Sequence, residues 1–254
     1  MAAFARSHSF SLHAFLADET VDRDAVSAFA DEFQSKANGR YTLAFQGHGE
    51  VSYNAGSGAA PASIWQSRGN ILTAIVSDSR VTATFDALAH AELRSEPQPS
   101  AQDVLSWYAS AFARGVTSLG QTVNRLSFAI ASVGVVSPTD DIQVQIARKF
   151  LNEDLIGSAE RKDFDDTLVR LNRKARWLLD ADRDINQLCT VSAEWVLTNK
   201  KIEVLLKWSL DINSSPFHHD VALSEANIVE FYNRAAAAVP ELSKQVDFAQ
   251  SDSK

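Results

Sequence analysis

The stretch Thr122–Val136, T-V-N-R-L-S-F-A-I-A-S-V-G-V-V, decides how this chain is read. It is the longest β-like run and sits at the midpoint of the 254 residues. Side chains alternate across a strand, so Leu126, Phe128 and Ile130 form a bulky face, and Ser127, Ala129 and Ala131 form a small one. Small side chains let another layer come close, so a helix or a second sheet is expected on that face. Arg125 is the single charge in the run. A charge in an apolar strand needs a partner. Asp211 and Asn213, in a later strand expected nearby, are candidates. An arginine reaching solvent from the strand end is the competing reading.

Toward the N-terminus, Val104, Leu105, Tyr108 and Phe112 make an apolar helical stripe that ends near Leu119-Gly120. Ser100 and Asp103 are spaced as its capping pair, after the breaker Ser95–Ser100. Asn70–Ser77 and Arg80–Phe85 flank Asp78-Ser79 as a hairpin. Tyr41–Phe45 and Val51–Tyr53 read as another hairpin around Gly47-His48-Gly49, followed by the loose segment Asn54–Pro61. Val26, Phe29, Ala30 and Phe33 repeat at helical spacing, and Ser9–Leu16 alternates as an opening strand.

Toward the C-terminus, Ser137-Pro138-Thr139-Asp140 signals a helix start, with Ile142, Ile146 and Phe150 as its stripe. Phe164–Leu179 fits both periods; a strand from about Leu168 is preferred because it completes a meander. Gln187–Leu197 and Val204–Ile212 alternate as strands. Ser224 caps a final helix that turns Ile228, Val229, Tyr232 and Ala236 inward before Pro240. The fold class is α+β: two tandem β-α-β(3-4)-α-like halves, residues 8–120 and 121–250, with a mostly antiparallel curved sheet packed against helices. Element order carries this duplication; no residue-level repeat does.

Composition narrows the function. Hydrophobic residues make up 45% of the chain, enough for a sizeable core, and the net charge of −8 disfavours generic binding to a phosphate backbone. One cysteine, Cys189, allows neither an intramolecular disulfide nor a cysteine-based zinc site, which suits a reducing compartment. With no run of about 18 apolar residues and no signal-type leader, a cytoplasmic protein outside the membrane is expected.

Catalytic motifs are absent. No G-x-S-x-G occurs, and Gly56-Ser57-Gly58 leads into Ala59-Ala60-Pro61 rather than a phosphate-binding helix. His218-His219-Asp220 is the densest set of metal-ligand types, but adjacent residues of an extended loop point apart. A polar loop is the favoured reading, so no catalytic residue, metal or cofactor is assigned. Cys189 shares a face with Val191 and Trp195 and reads as a structural thiol. The one basic concentration runs from Arg161 and Lys162 to Arg170, Arg173, Lys174 and Arg176, beside Trp177. On a strand, Arg170, Asn172, Lys174 and Arg176 share a face that suits phosphate, nucleic acid or an acidic protein surface. Asp163, Asp165, Asp166, Asp180, Asp182 and Asp184 adjoin it as neutralising candidates. The candidate binding residues are therefore Arg125, Arg170, Arg173, Lys174, Arg176, Trp177 and Asp211.

Trp107 in a helix, Asn124-Arg125-Leu126 opening a long strand, and Leu210-Asp211-Ile212-Asn213 closing a late strand before a terminal helix form a pattern. It resembles a sporadically distributed, uncharacterised bacterial family of about this length. That family's strand continues after the arginine with a more aromatic, Asn-bearing run, where this chain has Ser127-Phe128-Ala129-Ile130. The resemblance implies no established enzymatic activity. It implies a binding or neutralising role of the kind found beside toxin or defence genes. The expectation is a non-enzymatic protein that engages a macromolecular partner, of immunity, antitoxin or defence-accessory type. A small-molecule binder with a cavity between sheet and helix, lined by Ser127, Ala129 and Ala131, is the alternative, followed by an enzyme with dispersed residues. A protein partner is favoured and nucleic acid is the least favoured.

Overall fold

The computed structural model describes residues 7–17, 21, 23–36, 40–51, 60–136, 142–150, 166–179, 182–198, 201–214 and 223–244. The first strand, β1 (Ser7–Leu16), is followed by α1 (Arg23–Lys36) and a meander of β2 (Leu43–Val51), β3 (Ala60–Ser67), β4 (Leu72–Ser77) and β5 (Arg80–Asp86). Two helices follow, α2 (Ala87–Arg94) and α3 (Ala101–Ser118). Then come β6 (Val123–Val136), α4 (Ile142–Phe150), β7 (Asp166–Leu178), β8 (Asp182–Thr198), β9 (Lys201–Ser214) and α5 (Glu225–Lys244).

These strands form one sheet in the order β2-β3-β4-β5-β1-β6-β9-β8-β7. Every ladder is antiparallel. The strand that opened the sequence reading, β6, is interior. It pairs with β1 on one side and β9 on the other, so the sheet is continuous across the chain midpoint. Helix α3 packs on β1 and β5, α5 packs on β6 and β9, and α3 lies against both α1 and α5. Ser100 and Asp103 close a full capping box on α3, as their spacing predicts. Ser224 accepts from the Asn227 N–H at the start of α5. Pro240 does not end α5, which runs on to Lys244.

Leu126, Phe128 and Ile130 are buried on the helix side with Phe10, Leu12, Leu210 and Ile212, in one core. The small face lies on the other side of the sheet. Ala129 is half-buried and Ala131 exposed there, and no described helix or second sheet covers them. Ser127 on that same face is buried, and the expected layer is not found among the described residues. The described helices take the bulky face, because it offers the apolar area to bury.

Two local readings also resolve. Gly47-His48-Gly49 is no hairpin tip. It lies within β2, where the register shifts between Phe45 and Gly47 and Gly47 has φ of 137°. A glycine inside a strand marked a bulge rather than a turn. The doubtful segment Phe164–Leu179 is the strand β7 over its described part.

Gly115 marks the close approach of α3 to α1. A Cβ there would lie 2.8 Å from Phe29 Cδ2 and 3.2 Å from the Phe29 carbonyl oxygen. Phe29 is fully buried and stacked on Phe33, so neither ring nor backbone can yield cheaply. Helix propensity favours alanine over glycine by about 1 kcal/mol, and overpacking costs about 1–3 kcal/mol. Because the close approach includes the Phe29 backbone, overpacking wins: Gly115→Ala is expected to lower stability, by up to about 2 kcal/mol, in a urea titration, opposite in sign to the propensity effect.

Candidate functional site

No described helix packs across the opposite sheet face, although its row Thr82, His13, Ser127 and Asn213 is buried. Cross-strand partners share a face, so the ladders fix what this face displays. Ser9, Ser11, His13 and Phe15 of β1 stand opposite Ala131, Ala129, Ser127 and Arg125 of β6. On the other flank, Ser11, His13 and Phe15 stand opposite Thr84, Thr82 and Arg80 of β5. The surface is built from short, hydroxyl-bearing side chains. Ser11 Oγ and Thr84 Oγ1 are 3.0 Å apart, and Ser127 Oγ donates to Asp211 at 2.7 Å.

Arg125 does not use the partners expected of it. Asp211 is taken by Ser127, and Asn213 accepts from Asn186 at 3.3 Å. Register explains this, since Asn213 lies opposite Ser127 and Asp211 opposite Ala129, further along the strand than Arg125. Arg125 instead stands opposite Phe15, with its guanidinium carbon 5.0 Å from the ring centroid. Arg80, opposite Phe15 on the other flank, places its guanidinium carbon 4.8 Å from the same ring. Two cations therefore share one aromatic ring at one end of the central strands β5, β1 and β6.

His13 completes this cluster. Arg80 Nη2 lies 2.8 Å from His13 Nδ1, and Thr82 Oγ1 lies 3.1 Å from the same atom. A guanidinium only donates, so Nδ1 accepts and the proton sits on Nε2. Burial first, then the charges of Arg80 and Arg125, push the His13 pKa down from 6.5 to about 3. Tyr232 of α5 donates to the His13 carbonyl at 2.9 Å and ties the helix layer to this strand.

A depressed histidine pKa means that the folded state binds fewer protons than the unfolded state between about pH 6.5 and 3. The His13 contribution to stability is complete above the unfolded pKa and is lost as pH falls toward the folded one, by up to about 1.4 kcal/mol per pH unit. At pH 5 the ring is expected to show NMR signals of the neutral Nε2–H tautomer. His13→Gln should flatten the loss of stability between pH 6.5 and 4. Titration of His13 near pH 6.5 would contradict both expectations.

The basic segment is the edge strand β7. Arg170, Asn172, Lys174 and Arg176 stand opposite Thr190, Leu188, Asn186 and Asp184 and share the open face, as their spacing predicts. Arg176 is 3.5 Å from Asp184, and both are exposed, so this pair neutralises charge while adding little stability. Arg173 and Trp177 belong to the helix side, where Trp177 packs 5.7 Å from Phe231 of α5. The structure thus gathers Arg125, Asp211, Arg170, Lys174 and Arg176 on one face and separates Arg173 and Trp177 from them. His13, Phe15 and Arg80 were not singled out in the sequence. Arg80 alternates with Thr82 and Thr84 in a clear strand, but its place beside Arg125 depends on the β5-β1-β6 order.

A separate cavity of about 560 Å³ lies on the helix side, lined by Phe10, Ile130, Trp208, Ala101, Val239 and His8 among others. It adjoins the bulky face of β6 at Ile130, not the small face of Ser127, Ala129 and Ala131. Cys189 is buried, and burial pushes its thiol up to about 11. Among the described residues no group of three or more metal-ligand side chains comes together. His218 and His219 lie outside those residues. No described helix is long and apolar enough to cross a membrane. No protein-family model matches the chain, and none of the curated proteins is significantly similar to it.

Proposed function

We propose that this is a non-enzymatic binding protein that engages an acidic macromolecular partner, a protein, on the open sheet face. The observation that carries this reading is the character of that face. On a chain of net charge −8 it displays Arg80, Arg125, Arg170 and Lys174 amid short hydroxyl side chains, alongside the carboxylates Asp184, Glu194, Glu203 and Asp211. Such a surface brings a partner close to the sheet, and its cations complement an acidic patch and speed encounter. The two-tandem-half architecture belongs to the same proposal. The first strand of each half, β1 or β6, pairs with the last strand of its own meander, β5 or β9, and carries that half's long closing helix. The halves 8–120 and 121–250 would meet where β1 pairs with β6, putting Arg125 at the seam.

The resemblance to the sporadic bacterial family favours an immunity, antitoxin or defence-accessory role in the cytoplasm, with the product of a neighbouring gene as partner. The test is to purify the protein together with the products of its genomic neighbours and measure association. A bound neighbour, released by salt and weakened about tenfold or more by Arg125→Glu with Lys174→Glu, is the expected result. If no neighbour binds, or if the charge reversals leave association unchanged, the proposal fails.

One observation favours a second reading, a small-molecule binder. The helix-side cavity of about 560 Å³ has the size and the mainly apolar lining of a ligand site. Native mass spectrometry of freshly purified protein would show a retained ligand, displaced in Ile130→Trp; protein of bare chain mass would count against it.

A further inference from the structure

We propose that the helix-side cavity takes an uncharged aromatic molecule bearing a carbonyl-type acceptor, which the indole N–H of Trp208 recognises. This deepens the small-molecule reading above and rests on it, and the experiment below separates the two. The cavity, of about 560 Å³, lies between β1, β6 and β9 on one side and the start of α3 and the last turns of α5 on the other. Aromatic rings line its sheet side. His8 lies against both Phe10 and Trp208, with ring centroids 6.3 and 6.4 Å away. A flat ring offers the matching surface.

Trp208 has 9% of its surface exposed, and its Nε1 is buried without a hydrogen-bond partner among the described residues. An indole N–H only donates, and a buried one normally finds an acceptor. Ser132 stands directly opposite Trp208 on β6. Its Oγ does not take the proton and is itself buried without a partner. The sheet therefore leaves this donor unmet although a hydroxyl neighbours it. A buried unmet donor costs free energy, and a ligand acceptor that meets it recovers that cost. Because Nε1 is buried, the indole turns toward the ligand as it enters.

Charge narrows the ligand further. The described lining contains no Asp, Glu, Lys or Arg. A charged ligand would lose hydration there without meeting a counter-ion. The start of α3 is no anion site either, because Asp103 already occupies it. Its Oδ2 accepts from the Ser100 N–H at 2.9 Å and from Ser100 Oγ at 2.6 Å. A carboxylate ligand would be repelled by that charge. A neutral carbonyl accepts from the indole and brings no charge with it.

The probes are acetonaphthone, ethylnaphthalene and naphthoate, alike in ring and bulk: a neutral ketone, a hydrocarbon without an acceptor, and an anion. Indole N–H signals are followed by NMR during each titration at neutral pH. Acetonaphthone is expected to bind at least as tightly as ethylnaphthalene, although water holds the ketone more strongly, and at least about tenfold more tightly than naphthoate. The Trp208 N–H signal should move further downfield with the ketone than with the hydrocarbon. Trp208→Phe keeps an aromatic wall and removes the donor. It should weaken the ketone about fivefold or more, the worth of one neutral hydrogen bond, and leave the hydrocarbon within about twofold. Circular dichroism establishes that the variant is folded; if it is not, the wild-type N–H shift carries the test.

Tightest binding of naphthoate, equal losses of ketone and hydrocarbon in Trp208→Phe, or a Trp208 signal that moves alike with both overturns the proposal. So does the absence of binding by all three up to their solubility. Each of these results leaves the small-molecule reading intact if native mass spectrometry still shows a retained ligand that is displaced in Ile130→Trp. Protein of bare chain mass, with the ketone behaving as expected, counts against that reading and leaves the acceptor site standing.

Discussion

Phe112→Ala is expected to destabilise the protein by about 3–5 kcal/mol, the usual cost of emptying a fully buried aromatic site. Phe112 is completely buried on α3, the helix that touches both α1 and α5. Its ring meets Phe29 and Phe33 of α1 edge-on at 6.3 Å and Tyr232 of α5 at 5.7 Å. Removing it leaves a cavity that rings from two helices line, and those helices are held in place by the sheet beneath them. Tyr232 also donates to the His13 carbonyl, so the loss reaches the strand that carries the candidate site. Chemical denaturation would show a lower midpoint, and hydrogen exchange would show faster opening of α1 and α5 together. A loss below 1 kcal/mol would mean that the helix layer collapses around the gap and that α3 is not its centre.

The second large effect tests which side of the sheet is the core. Phe128→Ala on β6 should cost about 3–5 kcal/mol. Phe128 is fully buried and stacked on Phe10 of the neighbouring strand, with centroids 6.4 Å apart. The next residue, Ala129, faces the other way between Ser11 and Asp211. Ala129→Ser should change stability by less than about 0.5 kcal/mol, as surface substitutions do. Comparable losses at both positions would show that a layer covers the open face, which would remove the surface on which the proposed function depends. Gly115→Ala and the His13 pH profile act as independent checks on the helix contact and on the neutral imidazole.

Much of the secondary structure was legible because it is written in short-range pattern. Period-two runs over Thr122–Val136, Gln187–Leu197 and Val204–Ile212, the Ser100/Asp103 box and the Asp78-Ser79 turn need no distant contact to be recognised. The glycines of β2 were misread because glycine permits a turn and a bulge equally, and only pairing with β3 selects the bulge. The candidate site was legible in part. Arg125 stood out as a lone charge, and the β7 cations stood out as a run with a common face. The partners of Arg125 were misassigned, because a one- or two-residue difference in register decides which side chains meet across strands.

By itself, the sequence of this protein determined that one face of the central strand is bulky and the other small, that a strand precedes a helix and a meander on either side of it, and that no recognisable catalytic motif is present. Those properties follow from covalent order and local sterics. Tertiary structure alone decided that the described strands form one sheet, that the described helices take the bulky face, and that Arg80, Phe15 and Arg125 stand side by side next to a neutral His13. These outcomes depend on contacts between residues far apart in the chain, where burial of apolar area and strand register select one arrangement from many that the same local pattern permits.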